Sequence, residues 1–308
     1  MDFGLCLPNF SFGVEPSREN IVEIAQAAER LNYASVWVSD HILVTKEKPR
    51  YGNLFEALTT LAYLAGMTER VRLGTSVLVV PQRDAILAAK QVATLDNLSG
   101  GRVILGVGVG WMADEYENLG ADFHTRGRRM NEAMRLMKTL WQSDDPQFEG
   151  EFYNFSSALF NPKPAQPGGP PLWVGGASEA ALQRIATLGD GWNADDAPLD
   201  QLVSVSERLH SMAAEHGRTV EISLRRTVDL RPAAAEAGLL SAPSADSGIK
   251  TGRWPGSSTG ALTGSLAEIK DYLQQVTEAG VAHFIFQFEH ATQAEHLAQI
   301  ELFATELM

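Results

Sequence analysis

Residues 71–106 read VRLGTSVLVVPQRDAILAAKQVATLDNLSGGRVILG. Two short β-rich runs, Val71-Arg72-Leu73-Gly74-Thr75-Ser76-Val77 and Val103-Ile104-Leu105-Gly106, flank a stretch from Asp84 to Leu98 that is rich in helix formers. Strand, helix and strand in that order make a βαβ unit, whose strands run parallel because the helix carries the chain back across the sheet.

The same alternation extends in both directions. Upstream, Phe3-Gly4-Leu5-Cys6-Leu7 reads as a first strand. A helix follows from about Ser17 to Leu31, with Ile21, Ile24, Ala25, Ala28 and Leu31 on one face. Ser35-Val36-Trp37-Val38 is a second strand, and a helix from about Leu54 to Gly66 leads into the quoted unit. Downstream come a helix from about Thr125 to Gln142 and a strand at Pro171-Leu172-Trp173-Val174. Gly191-Trp192-Asn193-Ala194 is the sixth strand, a helix runs to about His216, and the seventh strand spans Glu221 to Leu230. The eighth is Ala282-His283-Phe284-Ile285-Phe286-Gln287-Phe288, between two helices.

Eight parallel strands predict an α/β fold closed into a (β/α)8 TIM barrel, since closure leaves no edge to protect, with an open doubly wound sheet as the alternative. One domain over residues 1–308 is expected, with an insertion at about 146–169 in the unit after strand four. The Ala-, Ser- and Gly-rich stretch at about 233–260, after strand seven, is expected to form a lid over the site.

Composition narrows the function. A formal net charge of −13 and the lack of a basic stretch with interleaved aromatics argue against nucleic acid. No run nears the roughly 20 apolar residues that span a bilayer, and the start Met1-Asp2-Phe3-Gly4 lacks a basic signal region, so a cytoplasmic protein is expected. Cys6 is the sole cysteine and falls in an apolar strand, where a buried thiol is ordinary. The histidines beyond His41 show no metal-like spacing with carboxylates, so no metal site is expected.

In a β/α barrel the loops after the strands carry the chemistry. Ser39-Asp40-His41 follows strand two and could exchange protons at the barrel mouth, although Ser39 or Asp40 could equally cap a turn. At the end of strand three, Thr75-Ser76-Val77 combines small and β-branched residues, which would let a flat ring approach the backbone or simply form a bulge. After strand four, Gly106-Val107-Gly108-Val109-Gly110-Trp111 alternates glycine and leaves one strand face bare up to an indole. It lacks the spacing of a dinucleotide fingerprint and reads instead as a strand end open to a planar ligand, with Trp111 as an aromatic wall. After strand five, Gly175-Gly176-Ala177-Ser178 leads into a helix start, which suits a phosphate through exposed amides and the helix dipole, or a plain Ser cap.

Taken together, Ser39-Asp40-His41, the Leu73–Val77 strand, Leu95-Asp96-Asn97-Leu98-Ser99-Gly100-Gly101-Arg102, the Gly106–Trp111 run and Arg126-Gly127-Arg128-Arg129 resemble the luciferase-like monooxygenase superfamily, most closely its deazaflavin-dependent branch. The resemblance covers nearly the whole chain. It implies a flavin or deazaflavin in the barrel mouth, supported by a non-proline cis peptide that matches Ser76-Val77, with Asp40 and His41 on the cofactor and substrate side. It also implies Gly175 to Ser178 at the cofactor phosphate and leaves open whether Arg126, Arg128 or Arg129 reaches it.

One departure is informative. The deazaflavin-dependent sugar-phosphate dehydrogenases of this superfamily carry an acid directly after the glycine run, where this chain has Trp111, which points away from a sugar phosphate and toward an apolar or aromatic small molecule. The expected function is an oxidoreductase that transfers a hydride to or from coenzyme F420, with His41 and Trp111 as catalytic residues and Asp40, Thr75, Ser76, Val77, Gly106, Gly108, Gly110 and Gly175 to Ser178 around the cofactor. A flavin mononucleotide (FMN) monooxygenase using dioxygen is the nearest alternative, followed by a non-catalytic flavin-binding protein. An isomerase or aldolase is disfavoured because no lysine stands at a strand end for a Schiff base. A homodimer is expected.

Overall fold

The structure, a computed structural model, describes residues 1–239 and 260–308. Eight strands close into a parallel barrel: β1 (Asp2–Cys6), β2 (Ser35–Val38), β3 (Arg72–Thr75), β4 (Val103–Gly108), β5 (Leu172–Gly175), β6 (Gly191–Asp195), β7 (Glu221–Asp229) and β8 (His283–Phe288). Each pairs with the next, and the ring closes where β1 meets β8 with Phe3 opposite Phe284 and Leu5 opposite Phe286.

Helices α1 (Arg18–Arg30), α2 (Ala57–Ala65), α3 (Ala85–Leu98), α4 (Ala113–Asn118), α5 (Arg126–Gln142), α6 (Glu179–Leu188), α7 (Leu199–Glu215), α8 (Arg231–Glu236), α9 (Leu266–Glu278) and α10 (Gln293–Glu306) accompany the strands. Ser17 caps α1 by accepting from the Asn20 amide, and Asp84 caps α3 by accepting from the Leu87 amide. Each such cap satisfies an amide that the helix itself leaves orphaned. The main core lies between strands and helices, where Ile21, Ile24, Ala25 and Ala28 of α1 are buried as the periodicity predicts.

Two expectations are refined. β4 runs two residues further than Gly106, through Gly108, and β3 stops at Thr75, after which Leu78–Val79 resumes pairing with β4. The insertion at 146–169 contains a small antiparallel hairpin, Phe148–Glu149 with Asn154–Phe155, and a cis Asn161-Pro162 bond. Most of the expected lid at 233–260 lies outside the described residues. Its flanks are α8 and a short strand, Leu262–Thr263, which pairs with β7.

The lower half of the barrel is plugged. The Trp37 and Trp173 rings stack at 5.3 Å across the interior, and His283 meets both edge-on. Trp37 Nε1 donates to the Ser35 hydroxyl, which lies 2.7 Å from His283 Nε2. A Cβ on Gly74 would strike Trp37, and one on Gly191 would approach Trp173 to 2.6 Å, so the large rings fill space that small residues vacate. Burial in this layer pushes the His283 pKa down to about 3. With the floor filled, a ligand can enter only from the carboxyl ends of the strands.

Candidate active site

A cleft of about 370 Å³ opens at those carboxyl ends, within the usual size range of small-molecule sites. Its wall includes Ser39, Asp40, His41, Tyr51, Ser76, Val77, Gly108, Gly110, Trp111, Gly175 and Gly176. The loops after β2, β3, β4 and β5 therefore converge.

The back of the cleft is the bulge after β3. A non-proline cis peptide joins Ser76 and Val77, at the position the resemblance implies. Its surroundings are specific: the Ser76 amide donates to the Val38 carbonyl, the Ser76 hydroxyl donates to Asn193 Oδ1 at 3.1 Å, and Arg225 Nη1 donates to the Ser76 carbonyl at 3.0 Å.

The alternating glycines of β4 have a different physical reason from the open face read in the sequence. A Cβ on Gly106 would land on the Thr75 carbonyl oxygen, one on Gly108 would come to 2.5 Å from Val77, and one on Gly110 to 2.7 Å from Val79. The bare face is thus filled by the bulged strand next to it, and the glycines let that strand sit close. Gly108 and Gly110 still border the cleft, whereas Gly106 and Thr75 lie behind it, with the Thr75 hydroxyl donating to the Gly106 carbonyl at 2.6 Å. Gly106→Ala should force backbone to move and destabilise the protein by about 3 kcal/mol or more, near the upper end for overpacked cores, measurable as a fall in melting temperature. An unchanged melt would show that the bulge can retreat.

Asp40 is placed differently from a free cofactor ligand. Its carboxylate is buried and accepts from Arg83 at 2.7 and 2.5 Å and from the Val79 amide at 2.8 Å. It borders the cleft while tying β2 to the bulge.

His41 is the most chemically suggestive group. Its Nδ1 lies 2.9 Å from Glu115 Oε2, while Glu115 Oε1 accepts from the amides of Ile42 at 2.6 Å and Leu43 at 3.2 Å. Burial alone would raise the Glu115 pKa, but the hydrogen bonds from His41 and the Ile42 amide outweigh it and hold this carboxyl below its ordinary value. An ionised carboxylate only accepts, so His41 Nδ1 carries a proton and Nε2 is left to exchange one. Tyr51 packs against the imidazole at 4.4 Å, and half-exposed Trp111 meets it edge-on at 6.2 Å. Neither Glu115, on the short α4, nor Tyr51 was singled out in the sequence.

Across the cleft, Gly175 and Gly176 line its end, with Trp192 Nε1 donating to the Gly176 carbonyl at 2.9 Å. Ala177 and Ser178 are exposed just outside, and Ser178 caps α6 by accepting from the Ala181 amide. Arg126 lies over Phe123, Arg128 pairs with Glu151, and Arg129 lies over Phe152 while donating to Thr125, so all three are engaged away from the cleft wall.

The floor holds three polar residues that sequence reading passed over: Asn193 on β6 and Arg225 on β7, read as ordinary strand positions, and Asp195, which ends β6 one residue past the strand as read. The Asp195 side chain is open to the cleft yet otherwise ringed by protein. Desolvation and neighbouring Asp196 raise its pKa against the pull of Arg225. Beneath them Cys6 is buried, and its thiol is pushed up to about 11 despite Arg225, which makes it unreactive. Among the described residues, no cluster of three or more His, Cys, Asp and Glu side chains could hold a metal, and no helix is long and apolar enough to cross a membrane.

Comparison with known proteins agrees with this geometry. The chain is 35% identical over 177 residues to an F420-dependent glucose-6-phosphate dehydrogenase of Amycolatopsis mediterranei, covering 56% of this chain and 52% of that protein. It is 30% identical over 220 residues to an FMNH(2)-dependent dimethylsulfone monooxygenase of Pseudomonas putida, covering 70% of this chain and 59% of the relative. In fold it is similar to the monooxygenase RslO1 of Streptomyces bottropensis, with a TM-score of 0.80 at 24% identity over 100% of this chain and 98% of that one. The family model for luciferase-like monooxygenases matches residues 1–243, which take in β1 to β7 and every residue of the cleft wall, and the chain belongs to that family.

Proposed function

We propose that this enzyme is an oxidoreductase that moves a hydride between a small organic substrate and the deazaflavin coenzyme F420, bound in the barrel mouth. The observation that carries the reading is the His41–Glu115 pair beside a ring-sized cleft backed by the Ser76-Val77 bulge. The similarity to an F420-dependent dehydrogenase supports it.

The residues present fit such a group. Val77, Gly108 and Gly110 offer an apolar backing, Gly175 and Gly176 line the end next to the start of α6, where an anionic tail would be held, and Asn193 keeps a buried donor on the floor. The bound ring would supply the hydride chemistry. His41 Nε2 takes or returns the proton that accompanies it, and Glu115 holds the imidazole with Nδ1 protonated. Trp111 and Tyr51 form an aromatic wall, with Ile42 and Leu43 exposed beyond His41, so the substrate class is apolar or aromatic.

The second reading, a monooxygenase that uses reduced FMN and dioxygen, is favoured by the similarity to the dimethylsulfone enzyme. Calorimetric titration of the full chain with coenzyme F420 and with FMN separates the two. Tight binding of the deazaflavin alone is expected. Preference for FMN, with oxygen uptake once that flavin is reduced, would replace the proposal by the second reading, and binding of neither would remove both.

A further inference from the structure

We infer that Asn193 is the residue that reads the carbonyl edge of the bound ring, an inference that rests on the function proposed above. Asn193 is 2% exposed and lines the cleft from β6. Its Oδ1 is taken by the Ser76 hydroxyl at 3.1 Å, while its Nδ2 is buried without a hydrogen-bond partner. Buried amide donors are almost always satisfied, and this one, on a residue that lines the cleft, calls for an acceptor brought by a ligand.

The charges around it define that atom. Asp195, two residues along the same strand and so on the same face, opens its carboxyl into the same cleft. Arg225 is committed to the Ser76 carbonyl at 3.0 Å, with Gln287 at 3.4 Å and Asp195 at 3.9 Å. A phosphate or carboxylate placed at Asn193 would meet the Asp195 acid with no uncommitted cation to compensate. The acceptor is therefore a neutral carbonyl, and flavin and deazaflavin rings both carry carbonyls on their pyrimidinedione edge. This orients the ligand, with the carbonyl edge on the β6 floor and the anionic tail toward Gly175 and Gly176.

The test compares wild type, Asn193→Ala, Asn193→Asp and Ser76→Ala as full chains. Affinity is read by calorimetry with coenzyme F420, with FMN and with inorganic phosphate as a ring-free probe, alongside the absorption spectrum of the bound ring. Losing the donor in Asn193→Ala should weaken ring binding about tenfold, as expected for one buried hydrogen bond. The isosteric Asn193→Asp, which sets an acceptor against an acceptor, should weaken it about a hundredfold or more and shift the ring's absorption band. Ser76→Ala, which leaves Nδ2 in place, should cost less than Asn193→Ala, and phosphate affinity should not change in either Asn193 variant. Ring affinities equal to wild type, or an equal loss for phosphate, would overturn the assignment while leaving the proposed function standing. A wild type that binds neither ring sinks both.

Discussion

His41→Ala is expected to lower turnover by about a hundredfold to ten-thousandfold, the usual worth of a positioned general acid or base, while leaving cofactor affinity near wild type and lowering the melting temperature by the loss of one partner of buried Glu115. The reason is that His41 touches the cleft with a ring whose other nitrogen is already engaged by a buried acid. Removing the imidazole takes away the proton carrier and one partner of buried Glu115 but leaves the ring site, because the Ser76-Val77 bulge and the Gly175-Gly176 end are built by other strands. A variant that loses cofactor binding in proportion to activity would make His41 a wall residue and not a proton carrier.

Glu115 acts through His41 and is a positioning residue. Glu115→Gln keeps an acceptor for the Ile42 and Leu43 amides but takes away the charged partner that holds the imidazole with Nδ1 protonated. Turnover should fall about tenfold with KM near wild type, a split that mere loosening of the loop, which would raise KM as well, would not produce. A KM that rises in step with the fall in kcat would assign Glu115 to loop structure alone.

Much of this site could be read in the sequence, and the parts that could not share a cause. Ser76-Val77, His41, Trp111 and the Gly175-Gly176 pair all lie at the carboxyl ends of strands or in the loops that follow, where barrel chemistry is expected, and the structure gathers them around one cleft. Glu115 escaped because its partner His41 stands 74 residues away and the two meet only when the loops after β2 and β4 pack together. Asn193 and Arg225 escaped because they sit within strands, where alternation predicts only in or out, and Asp195 because it ends β6 one residue past the strand as read. A polar residue pointing inward near the carboxyl end of a barrel strand was the available signal. The glycines of β4 were misread in the other direction: spacing shows that side chains are missing but not whether a ligand or the neighbouring bulge takes up the room. Asp40 had the right location, yet Arg83, 43 residues away, determines what its carboxylate does.

The largest effect on stability is expected on acidification. His283, His290 and His296 are all at most 1% exposed. Burial takes the His283 pKa down to about 3 and the His290 pKa to about 4, and it carries that of His296 well below its ordinary value. The rings of His290 and His296 stack at 4.1 Å, where protonating one would place charge against the other in an apolar setting between Phe288 and Phe12. His290 Nδ1 donates to the Phe288 carbonyl at 2.7 Å, whereas neither nitrogen of His296 has a hydrogen-bond partner. Each folded pKa lies below the unfolded value of 6.5, so the unfolded chain takes up protons first and stability falls as the pH drops from 6.5 toward the folded values. Each histidine contributes about 1.4 kcal/mol per pH unit while the pH lies between 6.5 and its folded value, and all three act in the same direction. The raised carboxyls of Asp195, Glu221 and Glu289 act the other way and offset part of this, while the lowered Glu29 and Glu115 add to it at more acid pH. His296→Leu isolates one contribution: stability near pH 8 should be kept or slightly raised, since two unpartnered nitrogens leave the core, and the slope of unfolding free energy against pH below 6.5 should flatten by about 1.4 kcal/mol per unit. Denaturant titrations across that range measure the slope directly. A slope identical to wild type would mean that the stacked pair is already protonated, or is solvated, in the folded protein.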